Sequence, residues 1–327
     1  MQLKKPRHLI VKLSSLGDVI HALPIVADVA RHRPYAALDW ACEAAYVDLL
    51  KLHPGIHQIF GVSLRQLKAQ PFAPARWRAL LQQRKAIMQN DYAGVVDCQG
   101  LLKSAWVASW NAAPITGLGP STVREPMAAR FYNARFEVPR SLHAVTRNRQ
   151  LVAAAFGYKS TDIDAPNYGL QVKAATNISA PYVVFLHATS RDDKCWPEAD
   201  WIALGQALQQ RGYTIVLPWG SDAEQARSRR IASALTRVVV PDKMPLSTAA
   251  SILQGAGCVV GVDTGLAHLA VALGRPTVGL YLSTQPALTG LFPESASVVN
   301  LGGGSRAAPV RLDTALVEAT VLQVLTA

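Results

Sequence analysis

The sequence predicts an α/β fold made of two domains, and three observations support this prediction. The chain has 327 residues, more than one hydrophobic core usually serves, so two domains of about 150 residues each are expected. Short β-branched runs alternate with helical apolar spacing in both halves, which is typical of parallel sheets covered on both faces. Between the halves lies a polar, turn-rich stretch without periodicity. We therefore assign residues 1–165 to a first domain, 166–180 to a linker and 181–327 to a second domain, whose C-terminal helix is a candidate to pack back on the first.

The first half alternates strand and helix patterns. It begins with a predicted strand at His8–Leu13, a tight loop at Ser14–Asp18 and a helical pattern to about His32, in which Pro24 either kinks the helix or marks its first turn. The other strands predicted here are Ala37–Cys42, His57–Val62, Val95–Cys98 and Ile115–Leu118. The other helices predicted here are Ala44–Leu52, Pro74–Gln89, Leu101–Trp110 and Ala144–Phe156.

The second half repeats the alternation. Its predicted strands are Tyr182–His187, Thr214–Pro218, Arg237–Val240, Cys258–Val262 and Pro276–Tyr281. Its predicted helices are Trp196–Arg211, Asp222–Leu235, Ser247–Gly255, Leu266–Leu273 and Leu312–Leu325. Both halves are thus expected to be doubly wound, Rossmann-like domains, with a ligand-binding cleft between them.

The charge of the chain is unevenly distributed. Residues 1–170 hold 21 Lys and Arg against 11 Asp and Glu, whereas residues 171–327 hold 12 against 11. A basic half beside a neutral half indicates that the first domain meets a polyanion, which could be a nucleic acid, an anionic membrane surface or a phosphorylated substrate. The alternative is a generally basic surface that keeps the protein in solution.

Several classes of protein are disfavoured by the composition. No apolar run approaches the roughly 20 residues that span a bilayer, and the apolar run near the N-terminus is too short for a signal-peptide core, so a cytoplasmic location is expected. The four cysteines are scattered without a CxxC pair, which predicts buried thiols instead of a zinc site or a disulfide framework. They are Cys42, Cys98, Cys195 and Cys258.

The stretch from Gly257 to Tyr281 has the pattern strand, tight turn, helix, strand. Its turn, Asp263-Thr264-Gly265, opens a helix at the end of a buried strand, where free N–H groups and the helix dipole favour a phosphate. Thr264 is a candidate N-cap, Gly265 permits close approach of a ligand, and His268 follows in the first turn. The alternative is an ordinary βαβ crossover in which Asp263 and Thr264 only cap a helix.

Two further loops of the second half follow predicted strands and would lie at the same sheet edge. In HATSRDDKCWP, Thr189, Ser190 and Lys194 combine two hydroxyls with a cation, which suits phosphate oxygens. In PWGSDAEQ, Glu224 is placed to accept hydrogen bonds from the paired hydroxyls of a sugar. The alternatives are turn hydroxyls, a solvated lysine and an acidic residue in a first helical turn. Together these groups favour a nucleotide diphosphate.

Asp18, in the loop after the first strand, is the candidate general base. A carboxylate at a cleft edge can take the proton of an attacking hydroxyl if it is ionised and within hydrogen-bond reach. The alternative is that Asp18 only caps the following helix. Residues 162–164 form the sequence DID, which has the form of a metal-binding DxD motif, but it lies in the predicted linker and we interpret it as incidental.

Four segments together resemble the bacterial lipopolysaccharide heptosyltransferase family, glycosyltransferase family 9. They are KLSSLGDVIHALP, LHATSRDDKCWP, PWGSDAEQ and GVDTGLAHLAVALGRPTVGLY. The similarity runs from about Leu9 to at least Thr284, and it implies the two-domain GT-B architecture. It also implies transfer of heptose from ADP-L-glycero-β-D-manno-heptose to the inner Kdo of Kdo2-lipid A, with inversion at the anomeric carbon and without a metal or other cofactor. The loop HATSRDDKCWP and the triplet DTG favour the enzymes that add the first heptose.

The resemblance also implies roles for individual residues. Asp18 would be the base, in a loop shaped by Ser14, Ser15 and Gly17. The donor-binding residues would be Thr189, Ser190, Lys194, Glu224, Met244, Asp263, Thr264, Gly265, Leu266 and His268. Lys194 would also be catalytic, because a lysine beside a helix N-terminus can stabilise the charge that develops on the departing diphosphate.

The basic residues of the first domain are the candidates for contact with an anionic acceptor. They are Arg65, Lys68, Lys103, Arg124, Arg147 and Arg149. The same charge would hold the enzyme, as a peripheral monomer, on the cytoplasmic face of the inner membrane. Nucleic acid is not expected as a partner, since the cations are dispersed through a βα framework without interleaved aromatics. The remaining alternatives are an enzyme that adds a later heptose or modifies a protein, and a sugar-nucleotide epimerase or hydrolase.

Overall fold

The alternation of apolar strands with helices builds two parallel sheets. The computed structural model describes residues 5–159, 165–175, 178, 181–189 and 191–327. These divide into two units between Leu170 and Gln171. Residues 165–175, which lie in the predicted linker and at its margin, contain no helix or strand.

The first unit contains a six-stranded sheet. Its strands are β1 (Arg7–Val11), β2 (Ala37–Glu43), β3 (Ile56–Val62), β4 (Tyr92–Asp97), β5 (Ile115–Leu118) and β6 (Ala134–Phe136). Its helices are α1 (Leu16–Ile20), α2 (Pro24–His32), α3 (Val47–Leu50), α4 (Leu64–Ala69), α5 (Pro74–Met88), α6 (Leu102–Ala108) and α7 (Ala144–Phe156). The strand order is β3-β2-β1-β4-β5-β6, and neighbouring strands pair in parallel.

The second unit has the same design. Its strands are β7 (Tyr182–Leu186), β8 (Thr214–Val216), β9 (Val238–Val239), β10 (Cys258–Val262), β11 (Thr277–Tyr281) and β12 (Val298–Gly302). Its helices are α8 (Glu198–Gln210), α9 (Asp222–Ala232), α10 (Leu246–Gly255), α11 (Gly265–Ala272), α12 (Pro286–Thr289) and α13 (Thr314–Thr326). The order β12-β11-β10-β7-β8-β9 is again parallel throughout.

The central strands of the second sheet are buried on both faces. Every residue of β7, β10 and β11 is buried, which explains why these strands are continuous apolar runs without polar alternation. Trp196 and Trp201 are fully buried and meet edge to face, with ring centroids 5.1 Å apart and ring planes at 81°. Valines of α13 join the same core, so this helix packs on the sheet of its own unit. Its packing on the first domain stays a prediction.

Both sheets reverse their strand order once near the middle. The reversal lies between β1 and β4 in the first unit and between β7 and β10 in the second. Helices run from such a point to opposite faces, so the carboxyl ends of the two strands leave a crevice in which ligands bind. The loops after β1, β4, β7 and β10 are therefore where the topology places a functional site.

The predicted α/β class and the two doubly wound sheets are confirmed, with local corrections. Pro24 is the first residue of α2, so it starts a helix instead of kinking one. The helix predicted at Ala44–Leu52 is a 3₁₀ turn followed by the short α3. The elements that the sequence analysis missed are β6, β12, α4 and α12.

Candidate functional site

Asp18 lies in the first turn of α1, which follows the loop after β1 at the reversal point of the first sheet, so the predicted loop at Ser14–Asp18 is already helical from Leu16. Asp18 is the third residue of α1, and its Oδ2 accepts hydrogen bonds from the backbone N–H and the hydroxyl of Ser15, both at 2.8 Å. Within the described ranges, Oδ1 accepts no hydrogen bond. The capping role is thus real, but it uses one carboxylate oxygen and leaves the other for a ligand. Ser14 is buried, whereas Gly17 is half-buried.

Nearby positive charge keeps the Asp18 carboxylate ionised. Burial opposes ionisation, but the charge of Lys12, the two hydrogen bonds from Ser15 and the charge of Arg124 together lower the pKa of Asp18 below its ordinary value. Lys12 is itself buried, and its Nζ donates to the carbonyl oxygen of Cys98 at 2.8 Å. A general base held in its charged form by a buried lysine is suited to neutral pH.

Gln99 fixes the Asp18 loop, and the sequence analysis missed it. Its Oε1 accepts from the backbone N–H of Leu13 at 2.6 Å and of Ser14 at 3.1 Å, while its Nε2 donates to the Ser14 carbonyl at 2.6 Å. The N–H of Gln99 donates in turn to buried Asp97, the last residue of β4. Lys103 Nζ donates to the Ser14 hydroxyl at 3.1 Å. The loops after β1 and β4 are therefore joined through side-chain amide and hydroxyl contacts.

Glu43 is a second carboxyl group at the same sheet edge, and the sequence analysis also missed it. It ends β2 and is 3% exposed; its Oε2 is 3.4 Å from the backbone N of Arg65, and Oε1 is buried without a hydrogen-bond partner among the described residues. Burial raises the pKa of Glu43, and the charges of Arg65 and Lys103 partly offset that shift. A carboxyl group beside two cations can orient them toward an anionic ligand.

The predicted acceptor cations occupy different settings. Arg65 and Lys68 are exposed on α4, in its first and last turns respectively, and the Arg65 guanidinium lies over the Tyr46 ring, 5.6 Å from its centroid. Arg147 is half-buried and donates to the Thr122 carbonyl at 2.9 Å, two residues before Arg124. Burial lowers the pKa of Arg147, and the charge of Arg140 adds to that effect. Arg147 thus fixes the segment that carries Arg124.

Arg149 is committed to an internal ion pair. It is 6% exposed, and its Nε and Nη2 donate to the two carboxylate oxygens of Asp28 on α2, each at 2.7 Å. Asp28 is 8% exposed. We therefore leave Arg149 out of the proposed acceptor site and assign it to the packing of α7 on α2.

Asp263 is the centre of the charged cluster in the second unit. It follows β10, and its Oδ2 accepts from Lys194 Nζ at 2.6 Å and from the Thr284 hydroxyl at 3.0 Å. Its backbone carbonyl accepts from the Thr189 hydroxyl at 2.8 Å. The loops after β7, β10 and β11 are therefore held together at the reversal point. An ammonium has three N–H donors, so Lys194 keeps donors for a ligand while it is paired.

The N-terminus of α11 opens beside this cluster. Thr264 occupies the N-cap position, but its side chain makes no capping hydrogen bond, which corrects the predicted capping role. Gly265 and Leu266 are half-buried in the first turn. His268 is 6% exposed, and its Nε2 lies 4.0 Å from Asp263 Oδ1. The uncapped first turn supports the predicted anion site.

Glu224 and Met244 lie on neighbouring segments of the same edge. Glu224 is the third residue of α9, and its Oε2 accepts from the backbone N–H of Gly220 at 2.7 Å and of Ser221 at 3.3 Å. Its other oxygen accepts no hydrogen bond from the described part of the chain. Met244 is half-buried before α10. Trp219 is half-buried and donates through Nε1 to a carbonyl after β9 at 2.7 Å, so it braces these two loops.

Some predicted features lie outside the described residues or differ from expectation. Ser190 and the DID sequence at 162–164 are outside the described residues. Three cysteines are buried as predicted, but Cys195 is half-buried in the loop after β7, which corrects the prediction of four buried thiols. Across the described residues, no group of three or more His, Cys, Asp or Glu is arranged to hold a metal ion. None of the helices in this part of the chain has the length and apolar character needed to span a bilayer.

The fold and the two charged edges define an enzyme class. One doubly wound unit presents an ionised carboxylate with a free oxygen, and the other presents a lysine, hydroxyls and a helix N-terminus suited to a diphosphate. A base for an acceptor hydroxyl and a cationic pocket for a departing diphosphate are the two chemical requirements of an enzyme that transfers a group from a nucleotide diphosphate.

Comparison with known proteins agrees with this class. The profile of glycosyltransferase family 9 (heptosyltransferase) matches residues 80–315. Lipopolysaccharide heptosyltransferase 1 of Pseudomonas aeruginosa is 40% identical over 309 residues, covering 93% of this chain and 85% of its own. The enzyme of the same name from Salmonella typhimurium is 40% identical over 289 residues, covering 87% and 90%. The chain belongs to glycosyltransferase family 9.

A solved structure extends the similarity to three dimensions. The structure of E. coli heptosyltransferase WaaC with ADP matches with a TM-score of 0.88 and 34% identity, covering 97% of this chain and 99% of that chain. E. coli ADP-heptose LPS heptosyltransferase II matches with a TM-score of 0.78 at 19% identity, which bears on the fold alone. The predicted GT-B architecture and the predicted glycosyltransferase activity are confirmed.

Proposed function

We propose that the protein is a heptosyltransferase I, which transfers L-glycero-D-manno-heptose from its ADP-activated form to the inner Kdo of Kdo2-lipid A. The names of the relatives above, lipopolysaccharide heptosyltransferase 1, support heptose as the transferred sugar and lipopolysaccharide as the pathway. The structure of the similar WaaC enzyme was solved with ADP, which supports an ADP-activated donor. The basic first unit supports an anionic acceptor, because residues 1–170 carry nearly all of the net charge of the chain.

The observation that carries the proposal is the state of Asp18. Its Oδ2 is anchored by Ser15, its pKa is lowered and its Oδ1 is left for a ligand. In the proposed reaction Oδ1 accepts the proton of a Kdo hydroxyl while that oxygen attacks the anomeric carbon of the heptose. The bond from the anomeric carbon to the diphosphate oxygen breaks, and ADP leaves from the opposite side. A single displacement of this kind inverts the anomeric configuration.

The second unit supplies the stabilisation of the leaving group. Lys194, held by Asp263, and the open first turn of α11 offer positive charge and N–H donors to the oxygen that becomes negative. Thr189, Thr264, Gly265, Leu266 and His268 complete the proposed diphosphate pocket, together with Ser190. Glu224 would hold the ribose hydroxyls through its remaining oxygen, and Met244 would line the adenine pocket.

The acceptor is proposed to meet the cations around Asp18. The contacts that we assign to its phosphates and carboxylates are Arg65, Lys68, Lys103 and Arg124, with Arg147 fixing the segment of Arg124.

We propose that the enzyme acts without a metal ion, as a peripheral monomer on the cytoplasmic face of the inner membrane. Full turnover in the presence of excess EDTA is expected, and restoration of a lost rate by Mg²⁺ would contradict metal independence.

The test is single-turnover release of ADP from ADP-heptose, with and without Kdo2-lipid A. Release that requires the acceptor supports a transferase. Equal release without acceptor would identify a hydrolase or an epimerase. Replacing Kdo2-lipid A by an acceptor that already carries the first heptose distinguishes an enzyme that adds a later heptose, which would turn over only the second substrate.

A further inference from the structure

The hairpin formed by α4 and α5 carries an unusual concentration of positive charge. Residues 64–90 contain six Lys and Arg and no Asp or Glu. Only Arg65 and Lys68 of these six belong to the proposed acceptor site. The others lie along α5, and they are Arg76, Arg78, Arg84 and Lys85.

The same hairpin exposes large apolar side chains. Phe72, in the turn between the two helices, is 95% exposed. On α5, Trp77, Leu81 and Met88 are 48%, 58% and 52% exposed, and their spacing of four and seven residues places them along one side of the helix. Leu80 and Ile87, about a quarter turn away around the helix, are buried against the unit.

The exposed face belongs to a well-anchored element. Trp77 Nε1 donates to the carbonyl of Pro71 at 2.8 Å, and Arg76 donates to the side-chain oxygen of Gln66 at 2.8 Å. Gln83 exchanges two hydrogen bonds of 3.0 Å with Ser63, the residue that follows β3. The apolar groups are therefore presented on a fixed surface, with nothing from the described part of the unit covering them.

We propose that this surface, Phe72, Trp77, Leu81 and Met88 with the flanking cations Arg78, Arg84 and Lys85, docks the protein on an anionic phospholipid bilayer. The inference rests on the proposed function, since a lipid-linked acceptor has to be met at a bilayer. Aromatic and aliphatic side chains enter the boundary between headgroups and acyl chains, while arginine and lysine remain at the phosphate level. Each cation near an anionic surface adds to the attraction.

The charge of the surface argues against two other occupants. A second copy of the chain would bring the same cations face to face, and like charges across a symmetric interface repel. A nucleic acid would use the cations but would leave Leu81 and Met88 exposed to water. A bilayer with anionic headgroups accommodates both the apolar side chains and the cations of the surface.

The test is cosedimentation of the full-length protein with vesicles of phosphatidylcholine, with and without phosphatidylglycerol, in the absence of acceptor. Two double variants are compared with the wild type. One combines Phe72→Ser and Leu81→Ser, and the other combines Arg78→Gln and Lys85→Gln. Each is expected to weaken binding to the anionic vesicles by at least roughly tenfold. A matched control, Leu288→Ser with Leu316→Ser, removes side chains of 44% and 51% exposure in the second unit and is expected to bind like the wild type.

Several results would overturn the inference. They are wild-type binding by both hairpin variants, equal binding with and without phosphatidylglycerol, tighter binding to a duplex oligonucleotide, and a dimer that Leu81→Ser dissociates. Turnover of a deacylated, water-soluble Kdo acceptor is expected to be unchanged in both hairpin variants, and a loss there would assign the surface to the acceptor site instead. Lipid docking and acceptor-dependent ADP release are measured separately, so either can fail while the other stands.

Discussion

Among single residues, Asp18 makes the sharpest prediction. Asp18→Asn keeps an oxygen that accepts from the Ser15 backbone N–H, so the start of α1 is preserved while the base is removed. The single-turnover rate should fall by about 10²-fold or more, with the affinity for ADP-heptose little changed. The measurement is quenched-flow ADP release with saturating acceptor, alongside thermal unfolding of both proteins.

The pH dependence gives an independent check on the same residue. Because the pKa of Asp18 in the folded protein lies below its ordinary value of 3.8, the carboxylate is ionised throughout the range from pH 5 to 8. Loss of the base should therefore not limit kcat/KM on the acid side of that range. An acid limb near pH 6 that Asp18→Asn abolishes would show that Asp18 does not titrate as its surroundings indicate.

The pKa of Glu43 is shifted in the opposite direction to that of Asp18, and this predicts how stability depends on pH. Its pKa is raised in the folded protein, so folding favours the protonated form, and the stability gained below the unfolded pKa is lost as pH rises through the folded pKa. Glu43→Gln removes the charge but keeps the shape. Its melting temperature should exceed that of the wild type at pH 8, and the difference should shrink toward pH 4. A melting temperature at pH 8 below that of the wild type would contradict this.

Activity of the same variant reports on the neighbouring cations. If Glu43 orients Arg65 and Lys103, Glu43→Gln should raise KM for the acceptor by several-fold while KM for ADP-heptose stays constant. Asp91→Asn, which removes an exposed carboxylate just before β4, provides a matched control in which the loss of one negative charge leaves KM for the acceptor within about twofold.

The contrast between these residues shows what the sequence could reveal. Asp18 was predictable because it ends a short Gly-containing segment that follows a strand, a pattern visible in the chain even though that segment enters α1 at Leu16. Glu43 and Gln99 were not, because their roles depend on β2 and β4 flanking β1 and on contacts across gaps of many residues. The coupling of Lys12 to Asp18 depends on the same tertiary neighbours.

At the scale of elements, α2 and α7 are joined by the buried pair Asp28–Arg149. Arg149→Met should destabilise the protein by about 3–5 kcal/mol, because it leaves the Asp28 carboxylate buried without its partner. Adding Asp28→Leu should recover most of that loss. Urea unfolding of the single and double variants measures both effects. A KM for the acceptor raised in the double variant despite recovered stability would return Arg149 to the acceptor site.

The link between β7 and α9 depends on a neutral histidine. His187 is fully buried, its Nε2 lies 2.8 Å from the Ser228 hydroxyl, and burial together with the charge of Arg227 lowers its pKa to about 4. In the unfolded chain the same imidazole has its ordinary pKa near 6.5, so the unfolded state takes up the proton first as pH falls. The free energy of unfolding should therefore decrease by about 3 kcal/mol between pH 6.5 and pH 4. His187→Gln should flatten this slope in urea unfolding followed by tryptophan fluorescence. An unchanged slope would assign the acid sensitivity to other groups.

The elements that sequence patterns missed share a physical reason. The strand β6 has three residues at a sheet edge, and β12 is a half-buried edge strand, so neither needs the continuous apolar run that identifies a central strand. The short helix α4 has no fully buried residue, which leaves no apolar face to detect. The central strands, buried on both faces, were predicted nearly to the residue.

For the whole molecule, the repeated strand order is the most informative feature. Both units reverse at equivalent points, and the segments that follow the strands there carry Asp18 in the first and Lys194 with Asp263 in the second. The sequence predicted two doubly wound units because alternation is a local property of the chain. It could not show which loops adjoin each reversal, because strand order is set by packing between distant segments.

The uneven charge of the two units predicts an uneven response to salt. The Debye length falls from about 30 Å at 0.01 M salt to roughly 6 Å at 0.3 M salt. The attraction between the basic first unit and acceptor-bearing anionic vesicles acts over longer distances than about 6 Å, so high salt should screen it. The second unit is nearly neutral, and Lys194 would meet the diphosphate in direct contact, where screening is weaker. Raising NaCl across that range should lower kcat/KM for the vesicle-borne acceptor by roughly tenfold or more, but kcat/KM for ADP-heptose at saturating acceptor by less than about threefold. Steady-state kinetics at several salt concentrations measure both, and equal sensitivity of the two substrates would show that the charge of the first unit does not serve the acceptor.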